Sequence, residues 1–187
     1  GGRVNVGGLW QGADGMREAR HVDVSEDAFI DASATQEGHG GHVVVWSEQQ
    51  TDYAGSIQAR GAGVSGNGGQ VEVSGKALLN FKGQVDLSAS GGEAGSLLLD
   101  PKNIIVSTAD PGSSTSRTAA GDLDAYADNA SETSWLTPAN LVGLLNSAHV
   151  TLQASNDIHV ADAVDASGNS GNYGLALEAG RSILIDD

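Results

Sequence analysis

Apolar and polar side chains alternate over short runs along this 187-residue chain, and the runs return at a nearly constant interval. Ile30-Asp31-Ala32 recurs as Ile57-Gln58-Ala59, Val85-Asp86-Leu87 and Val164-Asp165-Ala166, with 27 residues from Ile30 to Ile57 and 28 from Ile57 to Val85. A second run keeps step. GGHVVVWS from Gly40 and GGQVEVSG from Gly68 are 28 residues apart, GSLLLD from Gly95 takes the next equivalent place, and GGRVNVGG from Gly1 opens the series. Two strands per repeat at this period predict coils that bury their apolar faces only by stacking on one another, an all-β solenoid of the β-helix type. Since side chains alternate across a strand, Val4 and Val6, Val43 and Val45, Val71 and Val73, and Leu97 and Leu99 are assigned inward. Arg3, Asn5, His42, Val44, Gln70 and Glu72 then face out. The corners SATQEGHGG, RGAGVSGNGG and SASGGEAG are rich in glycine, which is expected to supply positive φ angles where the chain reverses.

Two stretches break the period. Gly1 to Gly40 spans 39 residues, about 11 more than later repeats, so residues about 9–20 are read as an excursion from the first coil. Residues 108–148 form a larger one, predicted to pack as a flap. It holds the best helix signal, 137–147, with Thr137 as N-cap, Pro138 at N1 and an apolar face of Leu141, Val142, Leu144 and Leu145. Coils are therefore expected over 1–107 and again over 149–187.

Composition narrows the functional classes. Glycine at 27 residues, aromatics at 4% and three prolines fit turns between short strands rather than a disordered linker or a core of large rings. The formal charge of -15 argues against nucleic acid as a partner and against anionic membrane surfaces. No run is long and apolar enough for a membrane span. Zero cysteines exclude disulfides, thiolate nucleophiles and cysteine-ligated zinc. The chain starts at Gly1 without an initiator Met and reads as an excised piece of something longer.

Candidate chemistry is sparse. β-helical polysaccharide lyases and hydrolases draw acids from adjacent turns, and Asp31, Gln58 and Asp86 form an outward column of that kind. Gln58 between the two acids suits a solvated face that avoids stacked like charges. A paired-carboxylate cluster with a basic partner in one groove would favour an enzyme. His39 and His42, with Glu37 near, match no zinc spacing, and the glycine runs lack the aspartate of a calcium-binding repeat. No metal or cofactor is expected. Trp46 is the most informative residue, because the register points it outward with Val44, in columns continuing through Glu72 and Ser74 to Leu98 and Asp100. Outward apolar groups require a cover or a ligand. Either the excursions fold back over Val44, Trp46 and Leu98, or Trp46 and Tyr53 form a sugar-stacking platform with hydrogen bonds from Glu48, Gln49, Gln50 and Asp52.

The succession GGRVNVGG, GHGGHVVVWSEQQTDYAGSIQARG, GNGGQVEVSGKALLNFKGQVDLSA and AGSLLLDPKNIIVS resembles the β-helical region of filamentous-haemagglutinin-like exoproteins, adhesins exported by two-partner secretion. The likeness spans nearly the whole chain and is most specific from Gly40 to Ser107. It implies a right-handed parallel β-helix, export through an outer-membrane partner transporter, a secreted or cell-surface location, and non-enzymatic attachment to host-cell receptors, other bacteria or exopolysaccharide. It carries over no catalytic residues. A polysaccharide-degrading β-helix enzyme and a pure structural spacer are the competing readings.

Overall fold

The computed structural model describes residues 1–110, 133–169, 171 and 173–186. Its first wall is a six-stranded parallel sheet ordered β1 (Arg3–Val6), β4 (His42–Ser47), β7 (Gln70–Gly75), β10 (Ser96–Leu99), β13 (His149–Ala154) and β15 (Leu175–Ala179). The second wall begins with β2 (His21–Val24), β5 (Gln50–Tyr53) and β8 (Leu78–Phe81). It continues with β12 (Thr133–Leu136), β11 (Asn103–Val106), β14 (Asp157–Val160) and β16 (Ser182–Ile185). A third wall holds β3 (Phe29–Asp31), β6 (Ser56–Gln58) and β9 (Gln84–Asp86). The early coils thus visit three walls in turn, and every ladder is parallel: the fold is a β-solenoid.

The predicted register holds. Val4, Val43, Val71, Leu97 and Val150 are successive partners, as are Val6, Val45, Val73, Leu99 and Leu152. Most of these side chains are fully buried, and each contributes roughly 1.5–3 kcal/mol by leaving water. The other walls add columns of Val24, Tyr53 and Phe81 and of Ile30, Ile57 and Val85 to one continuous core.

The corner glycines serve the chain in two ways. Among the described residues, positive φ occurs at Gly7, Gly12, Gly15, Gly38 and Gly63, so Gly38 and Gly63 turn their corners as expected, whereas the Gly-Gly pairs that open the first-wall strands do not adopt it. Those pairs exist for close approach. A Cβ on Gly40 would lie 1.9 Å from the Ala59 carbonyl oxygen, and one on Gly68 1.9 Å from that of Leu87. The glycines just before β7 and β10 meet the neighbouring coil, Gly69 at 2.1 Å from the Gly41 oxygen and Gly95 at 2.0 Å from that of Gly69.

The larger excursion is built into the coil where it is described. Residues 111–132 lie outside the described residues. On return, β12 enters the second wall between β8 and β11: it pairs in parallel with β11, lies against β8, and its Ser134 Oγ accepts a 2.8 Å hydrogen bond from the Leu79 N–H. The helix α1 (Pro138–Leu144) is shorter than predicted. Thr137 caps it as expected, accepting from the Asn140 N–H at 3.1 Å. Rather than lying outside as a flap, α1 packs against β9 and sinks Leu141 and Leu144 into the core, with Ser147 Oγ donating to the Val85 carbonyl at 2.7 Å. It occupies the place where a fourth strand of the third wall would stack. For that reason Val164-Asp165-Ala166 forms no strand: the segment sits beyond the helix, with Asn169 Nδ2 donating to the Val142 carbonyl at 3.3 Å. No helix among the described residues is long and apolar enough to cross a membrane.

Gly143, inside α1, has open space where a Cβ would stand and no left-handed φ. Gly143→Ala is expected to stabilise the fold by about 0.5–1 kcal/mol through lower unfolded-state entropy. Chemical denaturation checks this, and a loss of stability would contradict the open surroundings of the helix at that point.

Candidate functional site

The outward face of the first wall carries an apolar column, Val44 and Leu98, interrupted by Glu72, and beside it Trp46 and Ser74. The excursion from Leu9 to Arg20 covers this face. Its 3₁₀ turn, Trp10–Gly12, lies against β4 and β7. Gly8 and Gly12 are flush with the indole, since a Cβ on either would sit 2.6 or 2.7 Å from a Trp46 ring carbon. The Trp10 ring meets that of His42 at 5.1 Å. Backbone bonds from the Ala19 N–H to the Gly7 carbonyl at 2.7 Å and from the Glu48 N–H to the Ala19 carbonyl at 2.9 Å close the cap at its far end. Val44, Trp46 and Leu98 are consequently 0%, 5% and 6% exposed. The covering of outward apolar groups is realised, and by the first excursion.

Gln11 pins the cap. Its φ of 51° is left-handed, unusual for a side chain with a Cβ, and this turns its N–H onto Glu72 Oε2 at 2.8 Å while its Nε2 donates to Gln153 Oε1 at 2.9 Å. Glu72 is fully buried, with Oε1 lacking a hydrogen-bond partner, and the Ser74 hydroxyl nearby is also buried, without a well-formed hydrogen bond. Burial pushes the Glu72 carboxyl up to about 7; the Gln11 N–H and the neighbouring Ser74 hydroxyl oppose the rise, and Asp100 adds to it. Asp100 follows β10 at the end of the same face. Burial raises it to about 6, against the polar influence of the Gln11 side chain and with further raising by Glu178.

Between cap and coil lies a cleft of about 260 Å³, lined by Gln11, Glu18, Trp46, Lys76, Asp100 and Ser155 among others. Of the six residues assigned to a sugar platform, only Trp46 lines it, and through a ring almost wholly covered. Tyr53 points inward on the second wall, 1% exposed and stacked on Phe81 at 5.7 Å, and burial raises its phenol well above the usual range. This is a correction to the platform. Adjacent residues in β5 face opposite ways, so Tyr53 and Asp52 cannot share a face. Asp52 faces out and accepts from Gln50 Nε2 at 2.8 Å and Asn80 Nδ2 at 2.6 Å, while Glu48 is exposed at the bend before β5. Sequence reasoning missed Gln11, Glu18, Lys76 and Asp100 as neighbours. The available signal was Glu72, a carboxylate set between Val44 and Leu98 in the outward column.

The Asp31, Gln58, Asp86 column forms as predicted, in register on the third wall. Its acids are engaged in turning the chain: Asp31 Oδ1 accepts from the Ser33 N–H at 2.9 Å and Asp86 Oδ1 from the Ser88 N–H at 3.0 Å. Asp165 and Ser167 repeat the device at 2.9 Å. Arg60 hydrogen-bonds Gln58 and lies 3.7 Å from Asp86. His39 accepts the Asn67 N–H on Nδ1 at 3.0 Å, a link to the next corner. Among the described residues no group of three His, Cys, Asp or Glu is placed to hold a metal ion.

Comparison of the chain with protein families and with curated proteins finds no match.

Proposed function

We propose that the chain is a non-enzymatic segment of a large secreted surface adhesin, a rod that holds contact surfaces at a distance from the cell and itself touches glycan or another cell. The observation that supports this reading is how the repeat uses its polar groups. The acids of the third wall close corners, the Gly-Gly pairs let coils nest, and the same inward columns run from coil to coil. With about 4.8 Å per coil, such a repeat converts sequence length directly into reach. The resemblance to exoproteins of two-partner secretion adds export through an outer-membrane transporter and a place on the bacterial surface. Antibody raised against the chain should label intact producing cells and block their attachment to a glycan-coated or cell-coated surface. Labelling confined to lysed cells would sink the location, and attachment unaffected by saturating antibody would sink the role.

One observation favours polysaccharide processing as a second reading: Glu18, Asp100 and Lys76 line one cleft. Glu72, whose carboxyl burial raises, is sealed beneath the cap and cannot meet a substrate. Release of unsaturated or reducing ends from uronate polymers by the purified chain would establish that reading and displace the first.

A further inference from the structure

The cleft under the cap has a chemistry of its own. Its wall carries two carboxyls, Glu18 from the cap and Asp100 from the coil, against a single ammonium, Lys76. Glu178 stands close enough to Asp100 to disfavour its ionisation, and Glu72 adds another acid behind Gln11. The site is therefore electronegative and already partly dehydrated, the condition in which a cation is attracted most strongly. Ser74 pairs with Trp46 on the same outward face, its buried hydroxyl beside the Glu72 carboxyl. Volume limits the occupant: about 260 Å³ lies just under the range of roughly 300–1,000 Å³ typical of drug-sized sites, enough for one ring. The indole edge of Trp46 gives that ring an apolar wall, and Gln11 and Ser155 give it hydrogen-bonding groups.

We propose that this cleft binds a sugar unit carrying a free amine, presented by a polysaccharide, with Asp100 and Glu18 holding the ammonium. The inference rests on reading the chain as a glycan-contacting segment and adds the site and the sugar class. Lys76 has a defined part in it. As a like charge at the wall it opposes the ammonium, so its removal should strengthen binding, whereas an acidic sugar would need it.

Isothermal titration near neutral pH and at low salt tests this with a β-1,4-linked glucosamine tetramer, its fully N-acetylated counterpart and a galacturonate tetramer. The amine form is expected to bind saturably and about tenfold or more tighter than the acetylated one, since only its ammonium can donate charge-assisted hydrogen bonds to the two carboxylates. Asp100→Asn should weaken it about tenfold and Glu18→Gln severalfold, the second serving if the first disturbs the coil. Lys76→Ala should tighten it. Asp27→Asn removes one charge from an exposed turn between β2 and β3 and should leave affinity nearly unchanged. Absence of binding, equal affinity for the acetylated or acidic tetramer, weakening by Lys76→Ala, or an equal effect of Asp27→Asn would each overturn the proposal. Binding without antibody-sensitive attachment would instead overturn the adhesin reading alone, and attachment without binding this site alone.

Discussion

Raising the pH from about 5 to 8 should lower the melting temperature by about 6–12 °C, and Glu72→Gln should remove much of that loss. Glu72 holds its proton to about 7 in the folded chain against 4.5 as an ordinary carboxyl, and Asp100 to about 6 against 3.8. Across those intervals the folded state binds more protons than the unfolded one, so stability falls as pH rises. The Glu72 contribution is complete below about pH 4.5 and gone above about pH 7. A tenfold change in proton affinity is worth about 1.36 kcal/mol, so this contribution amounts to roughly 3 kcal/mol. For a chain of this length 1 kcal/mol moves the midpoint by roughly 2–4 °C. Asp31, Asp162 and Asp165 oppose this at the acid end. Hydrogen bonds from Ser33, Thr108 and Ser167 hold their carboxyls below the usual range, and that stabilisation is lost as they protonate. Maximum stability is thus expected at about pH 4, where the raised carboxyls are still protonated in the folded chain and the lowered ones still ionised. Melting curves at several pH values for both proteins decide it: a flat profile for the parent chain, or an undiminished slope in Glu72→Gln, would show that Glu72 is not buried under the cap.

Gly68→Ala is expected to destabilise the fold by about 3 kcal/mol or more, the upper range for forcing atoms into packed space. The added methyl would sit 1.9 Å from the Leu87 carbonyl oxygen, and that same oxygen accepts the 2.8 Å bond from the Gly95 N–H that closes the corner. Neither atom can give way without moving backbone in the next coil. Gly40→Ala should behave alike, because its methyl would meet the Ala59 oxygen, the acceptor of the 2.7 Å bond from Gly69. Denaturant titration measures both, and a cost below about 1 kcal/mol would mean that the corners are loosely packed.

The two expectations draw on different kinds of information. Alternation and a 28-residue spacing point Val43, Val71, Leu97 and their partners inward, and the ladders pair them so. The Gly-Gly pairs are visible as a repeat, but their mechanism is not: sequence shows that a side chain is excluded, not whether dihedral angle or proximity excludes it. Thr137 and Pro138 announce α1, yet its destination depends on the vacant next level of the third wall, which α1 fills. The register correctly turns Trp46 outward. Tyr53 follows it by seven residues in the chain, and that nearness carries no information about which wall the ring faces.

Local sequence therefore determined the solenoid, its register and its corners, because alternation, turn chemistry and a constant period act between residues close in the chain or one repeat apart. The tertiary structure decided the site. Gln11 meets Glu72 across 61 residues and Gln153 across 142, and no periodicity relates an excursion to the face it covers. The raised carboxyls follow from that closure, since a group's ionisation depends on the water it loses, and this is set by what folds over it.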